Sequence, residues 1–248
     1  MKSVPSFQSF MGQDKFSQIS EDPIEQANLT QYEELVKPES TYFIETYGWQ
    51  MNFADTEVVQ AVLENNGYTR ASWTEDANVV FAMTWAIREK AEQRIWNKIG
   101  NQYKGLKRKD KKKVIGILGW MAERLREKLV DNQYVDIVAG PDAYRDIPNL
   151  INIVKGTDHV EEKPKAINVQ LSFDETYADI IPVRKEDNGL HAWVSIMRGW
   201  NNMCTFCIVP FTRGRERSRP IYSILDEVQH LRDSGYKDIT LLGQNVNR

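Results

Sequence analysis

Cys204 and Cys207 are the chain's two cysteines and stand at CxxC spacing. Thiolates so spaced serve redox chemistry or supply half of a metal site. Two thiolates are too few to hold zinc or an iron–sulfur cluster unaided, and two cysteines in 248 residues make no disulfide framework. Tryptophan recurs in the segments where chemistry is usually placed. Trp49, Trp85 and Trp120 fall in YGWQMN (47–52), TWAIRE (84–89) and GWMAER (119–124), each just after an apolar strand candidate. Trp200 follows another such strand, in RGWNNMCTFC. Taken singly, each is a packing residue. Converging, Trp49, Trp85 and Trp120 would form an aromatic crevice suited to stacking a base or another planar ring. His159, His191 and His230 share no ligand spacing.

The elements that must position these residues follow from periodicity. Apolar runs at 42–47, 79–83, 114–118 and 135–139 read as strands. Segments 55–65, 88–99, 122–130 and 144–154 carry apolar residues at helical spacing, the first two stopped by Gly67 and Gly100. Strands alternating with helices mean βαβ units and a parallel sheet, and short continuous apolar strands fit a sheet covered on both faces. Residues 41–154 therefore read as a doubly wound α/β domain. In such a sheet, loops beyond the carboxyl ends of the strands converge into sites. Residues 1–40 read as an irregular extension and 155–187 as a connector with one strand-like stretch, 167–173. A second βα pattern fills 188–248: strand 192–197, loop 199–219, helix 221–234 and strand 238–242. Two strands and one helix complete neither a barrel nor an open sheet, so the sequence is expected to be truncated.

Composition narrows the classes. The chain is 41% hydrophobic and 27% charged, with a mean hydropathy of -0.54. No apolar run approaches the roughly 20 residues of a membrane span. The N-terminus has no signal-peptide core, and residues 1–30 contain acids but no Arg, unlike a transit peptide. A cytoplasmic protein without a membrane partner, and a monomer, is the expectation. A net charge of -3 excludes a generally basic nucleic-acid binder. The basic run KGLKRKDKKK (104–113) reads as a solvated helix end or loop.

The segments ETYGWQMN, AIREKAEQRIWNKI, ILGWMAERL, GPDAYRDIPNL, ETYADIIPVR, VSIMRGWNNMCTFCIVPFTRGRERSRP and LLGQNVN resemble the radical-SAM tRNA methylthiotransferases. Within that family they are most similar to members that methylthiolate isopentenyladenosine beside the anticodon. The resemblance runs in order from Thr41 to Asn247. It implies an N-terminal α/β domain followed by the truncated start of a radical-SAM partial (β/α) barrel. It also implies a tRNA anticodon stem-loop as substrate, with S-adenosylmethionine and a pair of 4Fe–4S clusters as cofactors. The family's radical-SAM motif CxxxCxxC falls on Trp200, Cys204 and Cys207. Its auxiliary-cluster cysteines fall on Trp49, Trp85 and Trp120. Gly243, Gln244 and Asn245 match the segment that contacts the cofactor's methionine part; by itself that stretch reads as a plain strand-end turn. GRERSRP matches 214–220. Arg213, Arg215, Arg217 and Arg219 there could bind phosphate and stack on bases, or form a salt-bridge network with Glu216 and nearby acids.

The departure from the family is chemical. Indole offers no thiolate, and its ring nitrogen is a donor only. As written, the chain is expected to assemble neither cluster and to be inactive. Replacement of all four cysteines by one residue type is expected if UGA codons read as Cys were written as Trp. A cluster-free remnant that binds tRNA or a protein is the alternative. A related methylthiotransferase acting on threonylcarbamoyladenosine or a ribosomal protein is a third reading.

Overall fold

The computed structural model describes residues 40–85, 89–156, 164–184 and 189–247. All lie in one unit, Glu39–Arg248. The expected extension, apart from Ser40, and His159 lie outside the described residues.

A parallel sheet of six strands holds the first part of the chain. Its order is β2 (Thr69–Arg70), β1 (Thr41–Thr46), β3 (Val79–Thr84), β4 (Val114–Gly119), β5 (Ile137–Ala139), β6 (Ala166–Asn168). Every pairing is parallel, with Phe43 opposite Val80 and Val80 opposite Ile115. Helices cover both faces. On one, α1 (Gln50–Asn65) and α5 (Ile147–Lys155) pack on Ile44, Phe81, Met83 and Leu118. On the other, α2 (Glu89–Lys98), α3 (Lys104–Lys109) and α4 (Trp120–Val130) pack on Val80, Ala82, Ile115 and Ile117. Successive strand residues therefore enter opposite cores, which is why β3 and β4 are apolar throughout. The doubly wound α/β reading holds.

Two stretches differ from expectation. The sheet takes β6 as an edge strand from the stretch read as a connector: Ala166 N–H donates to Asp136 O at 2.9 Å, and Gly140 N–H to Asn168 O at 2.8 Å. The basic run is not simply solvated. A π-helical turn, Ile99–Tyr103, continues α2 into α3. Within the run Leu106 is buried, Lys107 pairs with Asp136 at 2.5 Å, and buried Lys113 donates to the carbonyls of Thr74, Glu75 and Ala77.

GPDAYRDIP and ETYADI dock on one another. Tyr144 and Tyr177 stack at 5.7 Å, and Tyr144 N–H donates to the Tyr177 hydroxyl at 3.0 Å. Arg145 binds Glu175 at 2.6 Å and also pairs with Asp179. Burial alone would raise Glu175, but Arg145 and the Tyr177 backbone N–H outweigh it and hold the carboxyl below its usual range. The Arg145 hydrogen bonds lower Asp179. Carboxylates depressed in the folded state add stability above their unfolded values near pH 4, and that contribution disappears as pH falls through the folded values. The melting-temperature gap between wild type and Arg145→Ala is therefore expected to be wider at pH 7 than in acid. A gap independent of pH would show that this cradle contributes packing rather than charge.

The second part is a smaller βαβ unit. β7 (His191–Ser195) pairs in parallel with β10 (Asp238–Leu242), and α7 (Ile221–Asp233) crosses between them, with its Leu231 in one core cluster with Ala192 and Val194. In the intervening loop, β8 (Met197–Arg198) and β9 (Arg217–Ser218) pair antiparallel around a short helix, α6 (Val209–Arg213). Phe53 of α1 stacks on Trp193 of β7 at 5.7 Å, which joins the two parts.

Candidate functional site

The strand order reverses between β1 and β3, and in open parallel sheets the crevice beyond such a switch point is the usual binding place. Trp49 and Trp85 stand there, with Trp120 beyond the next strand. Trp85 lies between the others, edge-on to Trp49 at 6.2 Å and to Trp120 at 5.9 Å. Trp49 is 63% exposed, whereas Trp120 is buried. Trp49 and Trp85 line a cleft of about 430 Å³ with Tyr47, Lys90, Arg94 and Ile95. The convergence expected from the sequence is present.

Local backbone explains the placement. Gly48, Gly119 and Gly199 precede Trp49, Trp120 and Trp200, with φ of 117°, 88° and 77°. Only glycine adopts such values readily, so each strand can turn sharply and leave the next side chain at the strand end. The repeated Gly-Trp pair was a readable signal. Trp49 caps α1 with no side-chain hydrogen bond, and Trp120 opens α4. Helix N-termini carry unpaired N–H groups and a partial positive charge, which small polar or anionic side chains normally satisfy.

The loop after β10 reaches the same corner. Gln244 Nε2 lies 3.3 Å from Met51 Sδ, beside the Trp49 turn. Asn245 N–H points at Met197 Sδ at 3.3 Å. A Cβ added at Gly243 would come within 2.7 Å of Met197 Cγ, so a side chain there would force Met197 to shift. Cys204 is exposed and Cys207 half-buried, and Cys207 N–H donates to Cys204 O at 2.9 Å in the turn before α6. Trp200 lines a second groove with Leu171, Phe173, Met203 and Arg215.

Below the crevice lies a block of buried charge. Asp55, on α1, accepts from Arg198 Nη1 at 2.9 Å and Arg213 Nη2 at 2.7 Å. Asp142 takes both Nη atoms of Arg217, at 2.9 and 3.0 Å. Glu227 takes Arg219 at 2.6 Å and also Arg184. Arg213, Arg217 and Arg219 are thus turned inward, and Arg215 is the exposed member of the four, 5.9 Å over the Phe173 ring. Arg198 lies 4.7 Å over Tyr177, and Arg213 lies 4.9 Å over Trp120. Burial lowers the Arg213 guanidinium from its usual value, with Asp55 opposing that shift. Its Nε and Nη1 are buried without an acceptor. Asp55 and Asp142 had no sequence signal of their own. The arginines that hydrogen-bond to them lie 75 to 158 residues away in the chain. His191 Nδ1 meets Asp238 at 2.8 Å on the surface, and His230 lies on α7.

The residues present do not fit an iron–sulfur cluster. Three indoles fill the crevice edge to face, and the Trp120 ring nitrogen is buried without an acceptor. Cys204 and Cys207 supply two thiolates with tryptophan at the position four before the first. Among the described residues no group of three or more His, Cys, Asp or Glu is placed to hold a metal ion.

Residues 41–140 match the family described as uncharacterized protein family UPF0004. The chain is 54% identical over 206 residues to the tRNA-2-methylthio-N(6)-dimethylallyladenosine synthase of Chloroherpeton thalassium, covering 83% of this chain and 44% of that protein. Against the same-named protein of Flavobacterium psychrophilum the identity is 53% over 214 residues, covering 85% and 43%. Against the mitochondrial tRNA methylthiotransferase CDK5RAP1 of Rattus norvegicus it is 49% over 251 residues, covering 98% and 42%. The chain spans less than half the length of these curated relatives. With this identity and order of motifs, the chain belongs to the tRNA methylthiotransferase family.

Proposed function

We propose that the protein takes part in converting isopentenyladenosine next to the tRNA anticodon to its 2-methylthio derivative. The supporting observation is the identity of about half, over most of this chain, to enzymes named for that product. S-adenosylmethionine and a pair of 4Fe–4S clusters are the cofactors this activity calls for, and the unit β7–α7–β10 is read as the start of the radical-SAM barrel. The turn Gly243, Gln244 and Asn245 is the segment that would meet the methionine part of the cofactor. With tryptophan at 49, 85, 120 and 200, no cluster-dependent step is assigned to the chain as written. The cytoplasm is the expected compartment, although the mammalian relatives are named as mitochondrial. No helix among the described residues is long and apolar enough to cross a membrane.

Disrupting the gene in its own organism and analysing the tRNA nucleosides tests this reading. Isopentenyladenosine is expected to accumulate as the 2-methylthio nucleoside disappears. An unchanged nucleoside profile would overturn it.

A second reading, a non-catalytic tRNA- or protein-binding remnant, is favoured by one observation: the open Trp49–Trp85 cleft has Lys90 and Arg94 on its wall. Under either reading Arg215 is the arginine of its cluster available to RNA. Arg215→Ala is expected to weaken tRNA binding and to reduce the slope of log affinity against log salt by about 1. An unchanged salt dependence would remove Arg215 from the RNA interface.

A further inference from the structure

The cleft beyond β1 and β3 sets exposed aromatic surface against a row of cations. Tyr47, Trp49 and Trp85 form one wall, and Lys90, Arg94 and Ile95 of α2 form the other. Trp49 is exposed and meets Trp85 edge to face, so ring surface stays open to the cleft. Residues four apart share a helix face. Lys90, Arg94 and Lys98 therefore stand in a row along α2, while Glu89 and Glu92 fall on its far side.

The cations of this row are not equally committed. Lys98 pairs with Glu45 and lies 5.4 Å over the Tyr47 ring. Glu92 is held away from the cleft by Arg124 and by Trp96 Nε1. The buried acids of the neighbouring corner are also engaged, Asp55 by Arg198 and Arg213, and Glu123 by Arg126. Lys90 and Arg94 are exposed, and among the described residues no acid pairs with either.

Open aromatic surface beside two uncommitted cations is complementary to a nucleotide. The base stacks on the indole, and the phosphate meets the guanidinium and the ammonium group. A base can reach Trp49 in this way only when it is unpaired and splayed out of its own stack. Successive turns of α2 place cations about 5.4 Å apart along the helix axis, which suits the run of phosphates on a strand better than a single free nucleotide.

We propose that this cleft holds an unpaired nucleotide of a single-stranded RNA segment, its base against Trp49 and Trp85 and its backbone phosphates along Lys90 and Arg94. That the strand is RNA rests on the proposed function; the stacking and phosphate contacts rest on the cleft itself. The contact is separate from Arg215, which lines the other groove.

The test is titration of a fluorescein-labelled oligouridylate, an unstructured RNA, with the purified chain, read by anisotropy at several salt concentrations. Trp49→Ala is expected to weaken binding roughly tenfold, and Trp49→Phe, which keeps a flat ring, to restore most of the loss. Lys90→Ala and Arg94→Ala are each expected to lower the slope of log affinity against log salt by about 0.7. All three side chains are exposed, so the core is untouched. Trp73→Ala, which removes an exposed indole between β2 and β3, is the control and should bind as wild type does. Unchanged affinity in Trp49→Ala or an unchanged salt slope in both α2 variants overturns the proposal. Equally tight binding of an RNA duplex or of uridine monophosphate overturns it as well. Nucleoside analysis after gene disruption reads the proposed activity separately, so one can fail while the other stands.

Discussion

Replacing Asp55 with Ala is expected to cost the fold about 3–5 kcal/mol, the usual consequence of removing one partner from a buried ion pair. Asp55 is the shared counter-charge of Arg198 and Arg213, and all three side chains are buried. Arg198 retains the Pro141 carbonyl at 3.1 Å and a distant Asp142 at 3.8 Å. Arg213 already has N–H groups without an acceptor, so the loss of Asp55 leaves a cation buried beneath the crevice. The substitution also breaks the connection between α1 and the loop carrying β8 and α6, because Asp55 is their common acceptor. Urea denaturation of wild type and Asp55→Ala measures the effect. Asp238→Ala, which removes the exposed partner of His191, is the contrast and should cost less than about 1 kcal/mol. Similar small losses for both would mean that water reaches the block and that it is not what holds the two parts together.

Anaerobic reconstitution of the chain as written, with iron and sulfide, is expected to leave no stoichiometric iron and no broad charge-transfer absorption after desalting. The expected absence is all-or-none, because the thiolates that would form metal–sulfur bonds are missing. Two thiolates at Cys204 and Cys207 cannot replace three, and the indoles at 49, 85 and 120 both lack ligand electrons and fill the volume. Under the proposed function, introducing cysteine at 49, 85, 120 and 200 is expected to give iron binding. Retention of iron by the unaltered chain would show that other side chains serve as ligands, and would remove the chemical reason for expecting it to be inactive.

The block beneath the crevice changes the meaning of the arginine cluster. Alternating arginines read equally well as an RNA surface or as an ion-pair network. In the folded chain Arg213, Arg217 and Arg219 pair with Asp55, Asp142 and Glu227, while Arg215 stays outside. Strand alternation does not explain the split, because residues two apart in an extended chain share a face; Arg213 ends α6 and Gly214, at φ 67°, turns the chain before Arg215. The motifs that carry the family resemblance are thus largely scaffolding: Asp142, Tyr144, Tyr177, Arg198 and Arg217 pack on one another below the site.

Much of this was determined by the sequence alone. Apolar runs without a polar face imply strands buried on both sides, and these became β1, β3, β4 and β5. A tryptophan in the loop after each of β1, β3 and β4 implied a converging aromatic corner, because parallel strands bring all their carboxyl ends to one edge. The absence of thiolates at four positions is likewise a fact of the sequence. Only the tertiary structure decided the rest. Strand order is set by how helices fill both faces, so the sequence could not place the switch point between β1 and β3. Nor could it recruit the short β6, whose strand character comes from pairing with β5 and not from its own three residues. Asp55 was invisible for the same reason. A charged residue on an amphipathic helix reads as solvated until a distant segment brings two arginines to it, and that meeting depends on packing across the whole chain.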